Sequence, residues 1–229
     1  MTAFLLKIIA CITMFIDHIG YVIFDGSSFF NWIGRLAFPI FAFQISQGYI
    51  HTRNLKRYAI RLFIFALISQ IPFTLFYKSI FDTFAVNVVF TLLFGLISII
   101  VYDKVNKILG LLVTICLAVI AQICDFDYGF YGVAIILLFY MFRNSKPLLI
   151  SAFSFATIIR YGYHIVYYLV QTSIKPSIIF EFYMPSLIAT LLSAVFIGLY
   201  NGKKGRDSKY LLYLFYPLHL LLIYFINVL

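Results

Sequence analysis

The sequence is poor in charge: 11% of its 229 residues are Asp, Glu, Lys or Arg, and only 8 of them are acidic. A soluble domain carries nearer a quarter, and a chain this short of charge would leave a large apolar exterior in water. A soluble globule and a disordered chain are thereby excluded. Cysteine is scarce too, at positions 11, 116 and 124, all in or at the ends of apolar runs. That excludes a secreted disulfide scaffold and makes these cysteines soft packing residues. The sequence has no Walker loop, dinucleotide-binding glycine pattern, HExxH helix or paired-cysteine metal motif, so the usual cofactor signatures are missing. No metal is expected, and zinc held by His18 and His164 has little to support it. Internal repeats are absent as well, and with them the inverted halves of many transporters.

What the chain does have is hydrophobicity, 64% of all residues, with a mean hydropathy of +1.03. Stretches long enough to cross a bilayer fall at about 4–24, 31–50, 59–77, 86–102, 108–124, 127–142, 147–170, 178–200 and 210–229. The expected fold is an all-α polytopic transmembrane bundle of about nine spans, one domain over 1–229, multi-pass in a cell inner or plasma membrane. Lys7 precedes the first apolar run as in a secretory signal, but Asp17 and His18 interrupt that run and no small-x-small cleavage site follows. The first span is therefore expected to be retained.

The net charge of +9, from 17 Lys+Arg against 8 Asp+Glu, would suggest nucleic acid in a soluble chain. Here it sorts by topology instead. With the N-terminus in the cytoplasm, the even-numbered loops and their flanks hold Arg53, Lys56, Arg57, Arg61, Lys104, Lys107, Arg143, Lys146, Lys203, Lys204, Arg206 and Lys209. The odd-numbered loops hold only Lys78 and Lys175, beside Asp25, Asp82 and Asp125. Positive residues collect on the cytoplasmic side, so N-in and C-out is predicted, with the bilayer and not nucleic acid as the partner.

Ionisable groups inside a span cost a few kcal/mol or more and mark function when they face the bundle interior. They include Asp17 and His18 in the first span, Arg35 in the second, and Arg160 and His164 in the seventh. Asn87, Asp127 and Glu181 begin their spans from outside, and His219 lies in the last. At 1.5 Å per residue, His18 is roughly 16 Å beyond Lys7, and most of the others reach the same outer half. One polar chamber open to the outer face is expected, above a basic inner mouth formed by Lys7, Arg53, Arg57 and Arg61. Each group also has a plainer use. Asp17 and His18 would equally lock helix packing, Arg35 would snorkel to headgroups, and Arg53, Arg57 and Arg61 are explained by topology alone. His164, beside Tyr167 and Tyr168, would sit in an interfacial aromatic belt, and His219 would bond a neighbouring helix.

Lys7 and His18 are eleven residues apart, close to three helical turns, and so share a face. This spacing matches the R/K-x10-H pattern in the first span of integral-membrane acyltransferases. The blocks "KIIACITMFIDHIGYVIF" (7–24), "IGRLAFPIFAFQISQGYIHTRNLKRYAIRLFIFALISQIPF" (33–73), "NVVFTLLFGL" (87–96), "DYGFYGV" (127–133) and "YLFYPLHLLLIY" (213–224) together resemble the TraX family, in the family's order. The founding member of that family is associated with acetylating the N-terminal amine of a conjugative pilin subunit. The resemblance implies an acyltransferase that uses cytosolic acetyl-CoA and an acceptor outside, either an exported peptide or pilin or a cell-surface glycan. His18 would be the general base, and Asp17, about 100° around the helix from it, would pair with Arg35 or orient the acceptor. Lys7, Arg53, Arg57 and Arg61 would meet the CoA phosphates. Arg35 and Asn87 would hold the thioester carbonyl or the acceptor, in a chamber shared with Asp127, Arg160, Tyr216 and His219. Pro217 would kink the last span beside His219. Two other classes compete with the enzyme: a proton-coupled small-molecule transporter with Asp17, His18 and Arg160 as relay, and a structural subunit of an export machine.

Overall fold

The computed structural model describes residues 1–24, 28–171, 176–206 and 211–229. Asp25, Lys175 and Lys209, which entered the topology count, lie outside them. Ten helices follow one another among the described residues: α1 (Ala3–Ile23), α2 (Ser28–Gly34), α3 (Ala37–His51), α4 (Leu55–Phe81), α5 (Val88–Lys104), α6 (Lys107–Ile123), α7 (Gly129–Met141), α8 (Lys146–Gln171), α9 (Pro176–Gly198) and α10 (Leu211–Val228). Among the described residues there is no strand, only an isolated bridge between Val86 and Phe126. Four helical segments among the described residues are long and apolar enough to cross a membrane, namely Ala3–Ile23, Leu55–Phe81, Lys146–Val170 and Ile179–Gly198.

Among the described residues every apolar stretch of the sequence is helical for most of its length, but the stretch at 31–50 is two helices and not one. Pro39 explains the break. A helix running through it would drive the proline ring into the carbonyl of residue 35. The chain therefore turns at Arg35 and Leu36 and restarts at Ala37, where Pro39 falls among the first amides, which lack helical partners in any case. The consequence is that Arg35 sits at a helix junction inside the bundle.

α3 is the central helix. It packs against α1, α2, α5, α7 and α9, and Phe38, Ile40, Ala42, Phe43 and Ser46 are all buried on its several faces. α7 is similar, with nine of its thirteen residues buried. A helix apolar on all sides belongs in the middle of a bundle. Lipid offers these helices an apolar solvent already, so their association rests on close packing and hydrogen bonding. Thr13, Ser98, Thr114, Thr157, Ser186 and Thr190 each return a hydroxyl to a carbonyl one turn back in their own helix, which keeps these polar groups satisfied in apolar surroundings.

Two sets of contacts fix the ends of the bundle. At one end, the Val86 amide donates to the Asp125 carbonyl at 3.0 Å and the Asp127 amide to Val86 at 2.9 Å, joining the loop before α5 to the turn before α7. At the other, the first amides of α1 are capped by the loop between α9 and α10: Ala3 N–H donates to Lys203 O at 2.9 Å and Phe4 N–H to Lys204 O at 3.0 Å. Asn201 N–H donates in turn to the Met1 carbonyl. That basic loop is thereby strapped across the start of α1.

Candidate functional site

The basic end encloses a cavity of about 600 Å³, within the range of small-molecule sites, whose lining includes Lys7, Gln44, His51, Tyr58, Arg61, Phe65, Leu92, Lys204, Arg206 and Tyr213. Of the cations expected at a donor mouth, Lys7 and Arg61 line it; Arg53 and Arg57 are exposed and outside it. Lys204 and Arg206 line it in their stead, although the sequence by itself offers them only as orienting charges. The local signal was present in the run Gly202-Lys203-Lys204-Gly205-Arg206. Gly202 and Gly205 adopt φ of 76° and 74°, a left-handed turn that glycine makes without steric cost.

From the cavity floor an aromatic path leads along α10. Phe65 packs edge-on to Tyr213 at 4.8 Å and to Tyr216 at 6.0 Å between ring centroids, and Tyr216 lies 5.8 Å from the His219 ring. Tyr213, Tyr216 and His219 follow at intervals of three residues and so share one face. Beyond them are the two histidines. His18 Nδ1 and His219 Nε2 are 2.8 Å apart, and His219 Nδ1 is 2.7 Å from the Phe215 carbonyl. His219 is buried at 4% exposure, and His18 packs beside Phe76.

Asp17 faces elsewhere. One residue from His18 and about 100° around α1, it lies against Gly34 of α2, and its Oδ1 is buried without a hydrogen-bond partner. It forms no ion pair within 4.0 Å with Arg35; Arg35 and Asp127 instead act on it through space. Arg160 stands over the Tyr131 ring at 4.6 Å, donates to the Tyr128 carbonyl at 3.4 Å and also acts on Asp127. Tyr128 stacks on Phe38 at 3.7 Å. The single outer chamber expected from sequence is therefore divided. Asp17, Arg35, Asp127 and Arg160 gather among α1, the α2–α3 junction, the α6–α7 turn and α8, whereas His18 and His219 meet between α1 and α10.

Three expected members have other positions. Asn87 is fully buried, and both amide donors are engaged, with Ala66 O at 2.9 Å and Gln70 Oε1 at 2.7 Å, while its Oδ1 accepts from Val89 N–H to cap α5. No donor remains for an oxyanion. Glu181 is exposed on α9. His164 is away from His18 in an aromatic cluster, stacked on Tyr183 at 5.9 Å.

These features define a helical membrane protein with a basic cavity at one end and a buried histidine pair deeper along the same two helices. The family described as TraX protein matches residues 3–227, and the chain belongs to that family. It is also 29% identical over 239 residues to "Probable fimbrial assembly protein FimC, serogroup H1" of Dichelobacter nodosus, across 97% of this chain and 94% of that protein. No solved structure matches.

Proposed function

We propose that the protein is an integral membrane acyltransferase that moves an acetyl group from cytosolic acetyl-CoA to an acceptor outside. The acceptor is the N-terminal amine of an exported peptide or pilin, or a glycan hydroxyl or amine. The observation that carries this reading is the pairing of a cavity lined by Lys7, Arg61, Lys204 and Arg206 with His18 on the same helix as Lys7. The four cations suit the phosphates of CoA, the apolar walls Phe41, Leu62 and Phe65 suit its thin arm, and that arm covers the roughly 16 Å along α1 to His18. Membership of the TraX family and likeness to a fimbrial assembly protein support an exported fibre subunit as acceptor. The fuller topology belongs to the same proposal: about nine spans in the inner or plasma membrane, N-terminus inside and C-terminus outside.

In this reading His18 takes the proton of the acceptor amine as its nitrogen attacks the thioester carbonyl. The C–N bond forms, the C–S bond breaks, and the departing CoA thiolate receives the proton from His18. A positioned general base of this kind contributes about 10²–10⁴-fold. Asp17, Arg35, Asp127 and Arg160, on the neighbouring face of α1, hold the part of the acceptor remote from the amine that reaches His18.

Purified protein is incubated with labelled acetyl-CoA and candidate acceptors, and the label is located by mass spectrometry. His18→Ala is expected to abolish transfer while the protein stays folded in detergent. Full activity in that variant removes His18 as base. Substrate accumulation in proteoliposomes without CoA would instead establish the transporter reading.

A further inference from the structure

The histidine pair carries more than proximity. The Phe215 carbonyl can only accept a hydrogen bond, so the 2.7 Å contact requires a proton on His219 Nδ1. A neutral imidazole carries one ring proton, which leaves His219 Nε2 as a lone pair. The nitrogen facing it at 2.8 Å, His18 Nδ1, is then the donor. The two rings are inclined by only 10° with centroids 5.1 Å apart, the coplanar arrangement of an in-plane bond between ring nitrogens. In the opposite arrangement, His219 Nε2–H would donate to His18 and an unprotonated Nδ1 would face the carbonyl oxygen. A doubly protonated His219 would place a charge among Phe15, Phe215 and Tyr216, at a large desolvation cost.

We propose that His219 is a positioning residue: by accepting a hydrogen bond from His18 Nδ1–H, it locks that ring in the tautomer whose Nε2 lone pair is free to act as base. This rests on the acyltransferase reading for its consequence, but not for the hydrogen-bond pattern itself. His18 Nε2 accepts the proton from the acceptor, and the resulting imidazolium keeps its Nδ1–H bonded to His219 until Nε2 returns the proton to the leaving thiolate. Without His219, His18 is free to populate the other tautomer, whose Nε2 is already protonated and cannot serve as base.

The sequence holds only four histidines, so nitrogen NMR of the ¹⁵N-histidine-labelled protein in nanodiscs resolves each ring by single substitution. His18 is expected as the Nδ1–H tautomer in the wild type. In His219→Ala the Nε2–H form should gain population, with kcat down about 10²-fold and donor KM within about twofold. His219→Gln, whose Oε1 accepts in place of the ring nitrogen, should restore both the tautomer and kcat to within about tenfold. If His219→Ala does not fold, the wild-type and Gln spectra still decide. An Nε2–H tautomer for His18 in the wild type, or wild-type kcat in His219→Ala, overturns the proposal. A correct tautomer together with full activity in His18→Ala would leave the hydrogen-bonded pair standing and sink the acyltransferase reading alone.

Discussion

At the scale of single residues, adjacency in sequence and adjacency in space diverge. Asp17 and His18 are neighbours on the chain, yet one faces Gly34 and the other His219, because each helical step turns the side chain by about 100°. The approach to Gly34 is close enough to be tested. A Cβ there would overlap Asp17 Cβ, Cγ and Oδ1, so Gly34→Ala should destabilise by about 1–3 kcal/mol, visible as a lower melting temperature in detergent. Gly162, around which a Cβ meets nothing within 4 Å, provides the control, and Gly162→Ala should melt no lower than the wild type, since glycine inside a helix costs roughly 0.5–1 kcal/mol relative to alanine. The candidacy of His18 was legible from its charge-bearing neighbourhood in an apolar run. Its partner was not: Phe215 and His219 meet within one turn of α10, but His219 reaches His18 only through the packing of α10 on α1, some two hundred positions away in the chain.

At the scale of elements, two connections do chemical or mechanical work. The strap between α9 and α10 brings Lys204 and Arg206 over the cavity, and its backbone carbonyls cap α1. Replacing both side chains by Ala should raise the donor KM at least about tenfold, since hydrogen bonds to charged groups are worth about 1.5–3 kcal/mol. Arg53→Ala with Arg57→Ala should leave it within about twofold, and steady-state kinetics separate the two pairs. The second connection is a staple across α3, α5 and α7 at the end of α5: Tyr49 donates to Asp103 Oδ2 at 2.6 Å and Tyr140 to Oδ1 at 2.5 Å. The Tyr140 bond first, then that of Tyr49, holds the Asp103 carboxyl down at about 2. Because this lies below the ordinary carboxylate value of about 3.9, the contribution is complete above pH about 4 and is lost as pH falls toward 2. Tyr140→Phe should therefore lower the melting temperature near pH 7, with the difference from wild type shrinking between pH 4 and pH 2. A difference undiminished at pH 2 would show that the carboxylate is not the partner that matters. Helix positions were largely legible, but the stretch at 31–50 reads as one span in the sequence, and its break before Pro39 emerged only in the structure, where the proline ring would meet the carbonyl four residues back. The strap was not legible either, since no local pattern says which helix end a loop crosses.

At the scale of the whole molecule, the proposed orientation rests on the distribution of lysines and arginines, and it is tested from both ends of the topology. A C-terminal alkaline phosphatase fusion should be active and a C-terminal green fluorescent protein fusion dark, because Leu229 is expected outside. Cys124, exposed at the turn after α6, should react with a membrane-impermeant maleimide added to intact spheroplasts. Labelling only after lysis would invert the topology. Composition determined the solvent in which this chain folds, because 11% charge cannot clothe a bundle in water, and its unbroken apolar runs determined the helical class, because of the two structures that satisfy the backbone in lipid a closed barrel needs alternating residues and only the helix suits a continuous run. Only the tertiary structure decided which charges act together. It removed Arg53 and Arg57 from the cavity and brought in Lys204 and Arg206, used up the amide of Asn87, and set His219 against His18. The reason is that depth along a helix follows from counting residues, whereas the direction a side chain faces, and what waits there, is fixed by how the helices pack.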